Sequence, residues 1–213
     1  MESDCYKTVE DMLTLLEGDS VDIMDNEIEE RIEFPIPVSS KEYLEFSEKD
    51  LLGKEKRNLV NALSNAKRAL DCRIEEILYC IGMRAVSKKK KWNIPSKLGY
   101  LEGLGVITPR ILSKLNKERN LIEHEFHFPE KNSVEDFVDV VSLFIESTKV
   151  FIANTPNDGC VVPEIGFDVN GFEFKIDREA PEIIVNDKTL VPNDAHYERF
   201  AAGYAKIILN RYT

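Results

Sequence analysis

The chain switches between two hydrophobic rhythms. From residue 59 onward, Leu59, Leu63, Ala66, Leu70, Ile74, Ile77 and Ile81 recur every three or four positions. That spacing predicts one long amphipathic helix with a continuous apolar stripe over about six turns, ended by Gly82. A second helix is expected from Pro95-Ser96 to Gly103 or Gly105. A third opens at Thr108-Pro109, with Thr as N-cap and Pro in the first turn, carries Ile111, Leu115 and Ile122, and stops before Pro129. A fourth opens at Asn132 or Ser133, where Asp136 completes a capping-box-like spacing with Ser133. Its stripe is Val134, Phe137, Val138, Val141, Phe144, Ile145, Thr148, Phe151 and Ile152. Four amphipathic helices with short joins predict a helical bundle over residues 51–153.

Outside that span the pattern changes. Val9, Met12, Leu13 and Leu16 predict a short helix stopped at Gly18, followed by a very acidic stretch. Residues 32–38 read as extended, because Pro35 and Pro37 forbid a helix and confine the segment to an edge strand or strap. After Asn154 the period becomes two. Phe167 to Phe174 alternates about Asn170-Gly171, a strong hairpin signal, and Ile183 to Leu190 suggests a second hairpin. A closing helix is expected from Asp194 to Asn210, with the small β piece paired to 32–38. The expected organisation is an acidic appendage at 1–50, a bundle at 51–153 and a small α/β extension at 154–213, mainly α overall.

Composition sharpens this picture. At 213 residues and 43% hydrophobic content the chain has the make-up of a folded globular protein. No apolar run approaches the roughly 20 residues of a membrane helix, and the acidic start lacks a signal-peptide pattern. Cysteines at 5, 72, 80 and 160 form no CxxC, so neither a disulfide framework nor a zinc site is expected, and a cytoplasmic location fits. The net charge of −11 is uneven: −12 over 1–50, +5 over 51–153 and −4 over 154–213. The middle is therefore mildly basic despite the acidic whole.

Candidate chemistry concentrates in residues 118–129, at the end of the expected third helix. It holds Arg119, Asn120, His124 and His127. Asn120 and His124 are four apart and share a helix face, whereas Arg119 lies about 140° round from His124 on an ideal helix. Arg119 and His124 converge if the helix unwinds before Pro129, or if two copies meet across a two-fold axis. The bland alternative is a structural helix terminus, with His124 favouring the macrodipole and Arg119 paired to Glu118, Glu123 or Glu125. His127 reads as a capping or solvent residue, kept as a candidate RNA contact because it is so near.

Arg119-Asn120-x-x-x-His124 in this position resembles the signature of the HEPN superfamily, R-x(4–6)-H, often with Asn after the Arg. The preceding helix around Ala66 to Glu75 resembles the family's first helix, and the resemblance covers residues 51–153 only. It implies a four-helix bundle that dimerises with two motifs facing one cleft. It further implies metal-independent RNA cleavage, without a cofactor, in toxin–antitoxin, defence or stress systems. His124, with a reference pKa of about 6.5, would exchange protons with the ribose 2′-hydroxyl or the 5′-oxygen. Arg119 would hold the developing phosphorane and Asn120 would orient it. A toxin subfamily carries a nucleotidylated Tyr two residues after the His; here that residue is Phe126, which has no acceptor.

Lys88-Lys89-Lys90-Lys91-Trp92 is the densest basic run. It reads either as a solvated loop or as a phosphate-tracking patch with Trp92 as a stacking surface. The acidic first 50 residues read as solubilising, or as a phosphate mimic covering the basic middle. Besides the ribonuclease, two other classes stand: a non-catalytic HEPN-type interaction module binding RNA or a protein partner, and a bundle holding an anionic small molecule. A homodimer is expected, with an antitoxin or other protein as further partner.

Overall fold

In the computed structural model, which describes residues 6–25, 32–106, 129–164 and 171–211, the chain opens on a capped helix. Helix α1 (Val9–Leu16) starts at Thr8, whose hydroxyl accepts the Asp11 N–H at 3.1 Å while the Asp11 carboxylate accepts the Thr8 N–H at 3.1 Å. There follow β1 (Val21–Asp25), α2 (Ser40–Leu51), α3 (Lys56–Cys80), α4 (Arg84–Lys89), α5 (Ile94–Gly103), α6 (Lys131–Ser147) and α7 (Lys149–Ala153). Four strands come next, β2 (Asp158–Pro163), β3 (Phe172–Asp177), β4 (Glu182–Val185) and β5 (Lys188–Leu190), and then α8 (Ala195–Asn210). The architecture is mostly helical with a five-stranded antiparallel sheet. None of the described helices is long and apolar enough to cross a membrane. Contacts gather the chain into two compact units, one from 1–32, 78–91 and 151–213, the other from 33–77 and 92–150.

The first unit contains the sheet, in the order β1-β2-β3-β4-β5. Alternation sets its faces: Phe172, Phe174 and Ile176 are buried while Glu173, Lys175 and Asp177 are exposed. The register places Ile23 opposite Val161, Phe174 opposite Val185, and Ile176 opposite Ile183, so one apolar face runs across the strands. Helices α1 and α8 supply the other half of this core. Phe174 meets Phe200 and Tyr204 at ring-centroid distances of 5.7 and 5.4 Å. Met12, Leu13 and Leu16 of α1 are buried. At Gly203 of α8 an added Cβ would lie 2.8 Å from Leu16 Cγ, so the missing side chain is what lets α1 sit this close.

Gly82 ends α3 for a geometric reason. It adopts φ 75°, and the Gly82 and Met83 N–H groups return to the carbonyls of Tyr79 and Leu78 at 3.0 and 2.7 Å, a Schellman closure. The Gly82 carbonyl then accepts the buried Tyr197 hydroxyl at 2.6 Å. Between β4 and β5 a two-residue loop is made by Asn186, in the left-handed region at φ 50°, and Asp187.

Among the described residues of the second unit the regular elements are all helices. The apolar stripe of α3 is buried at Leu63, Ala66, Leu70, Ile74 and Ile77, and that of α6 at Val134, Phe137, Val138, Val141, Phe144 and Ile145. Helix α2 packs against α6. It opens on a capping box between Ser39 and Glu42 and ties to α3 where Ser47 Oγ donates to the Ala62 carbonyl at 2.7 Å. Helix α5 begins at Asn93, whose side chain accepts the Ser96 N–H at 2.9 Å, and closes through Gly105 at φ 78°.

Several expectations change. The first 50 residues do not form one appendage: α1 and β1 complete the sheet unit, while α2 belongs to the helical unit. The strand that pairs with the C-terminal sheet is 21–25, not 32–38, and 32–38 forms no strand. The prolines explain this, since Val21-Asp22-Ile23 keeps the N–H groups a ladder needs and 32–38 does not. Helix α6 starts at Lys131 with Glu130 as its N-cap, ahead of the expected Ser133 box. The third expected helix at 108–128 and the Asn170 side of the first hairpin turn lie outside the described residues.

Candidate nucleic-acid interface

The basic run grows out of α4. Val86 and Ser87 are buried, whereas Lys88, Lys89 and Lys90 are exposed. Lys88 and Lys89 form the last helical turn, where cations complement the macrodipole, and Lys90 is the C-cap. The run is thus a helix end rather than a loop. Lys91 takes φ 52° and turns the chain. Lys89 Nζ donates to Asn193 Oδ1, and Lys90 Nζ to Glu198 Oε1, both acceptors lying at the start of α8. Upstream on α4, the Arg84 guanidinium lies over the Tyr79 ring at 5.9 Å, and burial pushes the Tyr79 hydroxyl pKa up.

Trp92 belongs to the helical unit, where its ring is 5.0 Å from that of Tyr100 at 46°, and it is half-buried. A half-buried ring already packed on a tyrosine presents less stacking surface than a splayed one. Arg119, Asn120, His124 and His127, with Phe126, lie outside the described residues, in the stretch joining α5 to α6.

A second polar constellation sits inside the helical unit. Arg73 and Glu76 on α3 are 7% and 3% exposed. The Arg73 guanidinium donates to Thr148 Oγ1 at 2.7 Å, the Ile145 carbonyl at 2.7 Å and Glu76 Oε2 at 3.0 Å. Glu76 also accepts the Ser40 N–H at 2.9 Å and the Ser40 hydroxyl at 2.7 Å. This network pins the start of α2, the last third of α3 and the end of α6 together. Its groups face one another and protein backbone, so it is a structural tie rather than a catalytic array. Burial also pushes the Cys72 thiol up to about 11, which keeps it protonated and unreactive at neutral pH.

The acidic N-terminal segment finds its partners within the sheet unit. Arg199 on α8 binds Glu17 with Nε and Nη2 at 2.8 and 2.9 Å, and Glu10 with Nη1 at 2.8 Å. Lys206 Nζ holds Asp19 at 2.8 Å and Arg211 Nε holds Asp22 at 2.6 Å. Hydrogen bonds from Arg199 and Lys206 hold the Glu17 and Asp19 carboxyls below their ordinary range. His196 sits in the cap region of α8, with Nδ1 2.9 Å from Asp194 Oδ1. Among the described residues, no group of three or more His, Cys, Asp or Glu gathers as metal ligands would.

The acceptors Asn193 and Glu198 carried no signal in the sequence, because they are 104 and 108 residues from the lysines they meet. Arg73 and Glu76 were equally silent, as a charged position beside an apolar stripe reads as solvent-facing until its partner helices are known. No protein-family model, no curated protein and no solved structure matches this chain.

Proposed function

We propose that the chain is a HEPN-like, metal-independent endoribonuclease that acts as a homodimer in a defence, toxin or stress system. The observation that carries this reading is the spacing Arg119-Asn120-x-x-x-His124 in the stretch between α5 and α6, two elements of the helical unit. The buried stripes of α3 and α6 support it, since they are the kind of faces a bundle assembles around. The 2′-oxygen attacks phosphorus and the bond to the 5′-oxygen breaks. His124 takes the proton from the 2′-hydroxyl or returns one to the leaving 5′-oxygen. Arg119 balances the phosphorane charge and Asn120 orients it. The products are a 2′,3′-cyclic phosphate and a 5′-hydroxyl.

A second reading, a HEPN-type interaction module that binds RNA or a protein partner without cleaving, is favoured by the state of the lysine run. Two of its four ammonium groups already meet Asn193 and Glu198, and the chain's net charge of −11 opposes RNA approach. Incubation with structured and unstructured RNA in EDTA, beside His124→Ala and Arg119→Ala, separates the two. Cyclic-phosphate ends from wild type alone support the enzyme; RNA retention without cleavage supports the module.

A further inference from the structure

The lysine run meets an acid of its own chain. Lys90 Nζ pairs with Glu198 Oε1 and Lys89 Nζ with Asn193 Oδ1, where α8 begins. All of these residues, with Lys88 and Lys91, belong to the same unit. The Lys90 and Glu198 side chains are 45% and 37% exposed, so the pair is reachable from solvent and adds little to folding. A carboxylate on an ammonium is also the same kind of charge-assisted bond that a phosphate oxygen makes. Nearby acids of the N-terminal segment are already engaged, Glu10 and Glu17 by Arg199 and Asp19 by Lys206. Lys88 and Lys91 on either side of the engaged pair are exposed.

We propose that Glu198, with Asn193 beside it, is an internal phosphate mimic that occupies Lys89 and Lys90, so that RNA must displace it to engage the whole run. The inference rests on Lys88–Lys91 being a phosphate contact of the proposed ribonuclease or RNA-binding module. RNA engages the exposed Lys88 and Lys91 in the resting protein, while Lys90 stays on Glu198 and reaches a phosphate only when that carboxylate lets go. Each phosphate newly neutralised on a single strand steepens the fall of log K with log salt by about 0.7. Loss of Glu198's charge therefore raises both the affinity and the salt sensitivity.

The test uses the full chain and a fluorescein-labelled 2′-O-methyl oligouridine of about 20 nucleotides, long enough for a surface binding site and inert to 2′-oxygen attack. Anisotropy titrations run between about 50 and 200 mM KCl. Glu198→Gln is expected to bind roughly two- to five-fold more tightly at the low-salt end, the range an exposed pair allows. Its salt slope is expected to be steeper by about 0.7. Lys90→Ala should abolish the gain in the Glu198→Gln background. A gain that survives Lys90→Ala would reflect bulk charge and overturn the proposal. If Glu198→Gln matches wild type while Lys88→Ala/Lys91→Ala weakens binding, the mimic is overturned and the RNA reading of the run stands. If no variant binds, including Glu198→Gln, both fall. Equal melting temperatures across the set show that every comparison is between folded proteins.

Discussion

At the scale of single residues, the Arg73–Glu76 tie is the point where chemistry and stability meet most closely. Its donors and acceptors come from α2, α3 and α6, so removing one partner strands a charge in the interior. Glu76→Ala should destabilise the protein by about 3–5 kcal/mol, the usual result of stranding a buried charge. Urea unfolding measures it, and Arg73→Met/Glu76→Leu should recover most of the loss. A change below 1 kcal/mol would mean the network is not closed in solution. The exposed acids make a different prediction. Contact with Arg199 holds the Glu17 carboxyl below its ordinary 4.5, so the unfolded chain binds the proton more readily. The contribution is therefore present above about pH 4.5 and lost as pH falls through the lower folded value. Arg199→Gln should lower stability near neutrality, converge with wild type at the acid end and so flatten the acid limb of the stability–pH curve; an unaltered acid limb would contradict the contact.

Elements were more legible than contacts. Helix α3 followed from its seven-position stripe, α8 from Asp194 and the pattern after it, and the β4–β5 hairpin from its alternation. Each is encoded by neighbours a few positions apart, the range over which period and capping operate. Helix α2 was hidden because Lys41, Glu42, Glu45, Glu48 and Lys49 outnumber Leu44 and the small Ser47 that it buries. Strand β1 was hidden because its pairing with β2 spans more than a hundred residues of chain, which no local pattern reports. Two glycines test the assembly of the sheet unit. Gly203→Ala brings a Cβ against Leu16 and should cost about 1–3 kcal/mol, as overpacked cores do. Gly82→Ala forces a left-handed residue 3.1 Å from the Tyr197 hydroxyl and should cost at least about 1–2 kcal/mol. Thermal melts of both read the effect, and wild-type stability of Gly203→Ala would contradict the docking of α1 on α8.

For the whole molecule, the charge map matters more than the net charge. The acidic N-terminus does not cover the lysine run among the described residues; its carboxylates at positions 10, 17 and 19 are spent on α8, and that at 22 on Arg211 at the helix's C-cap. The acid that does reach the run is Glu198, from the far end of the chain. That exchange explains which half of the candidate site sequence could reach. Arg119, Asn120 and His124 stood out because their roles depend on spacing within one short stretch, whereas the groups that bias the lysines arrive only through tertiary packing. The central claim, RNA cleavage through Arg119 and His124, is tested most directly by one assay. Purified wild type, Arg119→Ala and His124→Ala, matched in melting temperature and oligomeric mass, are incubated with total RNA in EDTA and the new ends are identified. Cleavage by wild type alone, leaving 2′,3′-cyclic phosphates, is the expected result. Equal cleavage by all three, or none by any, would contradict it.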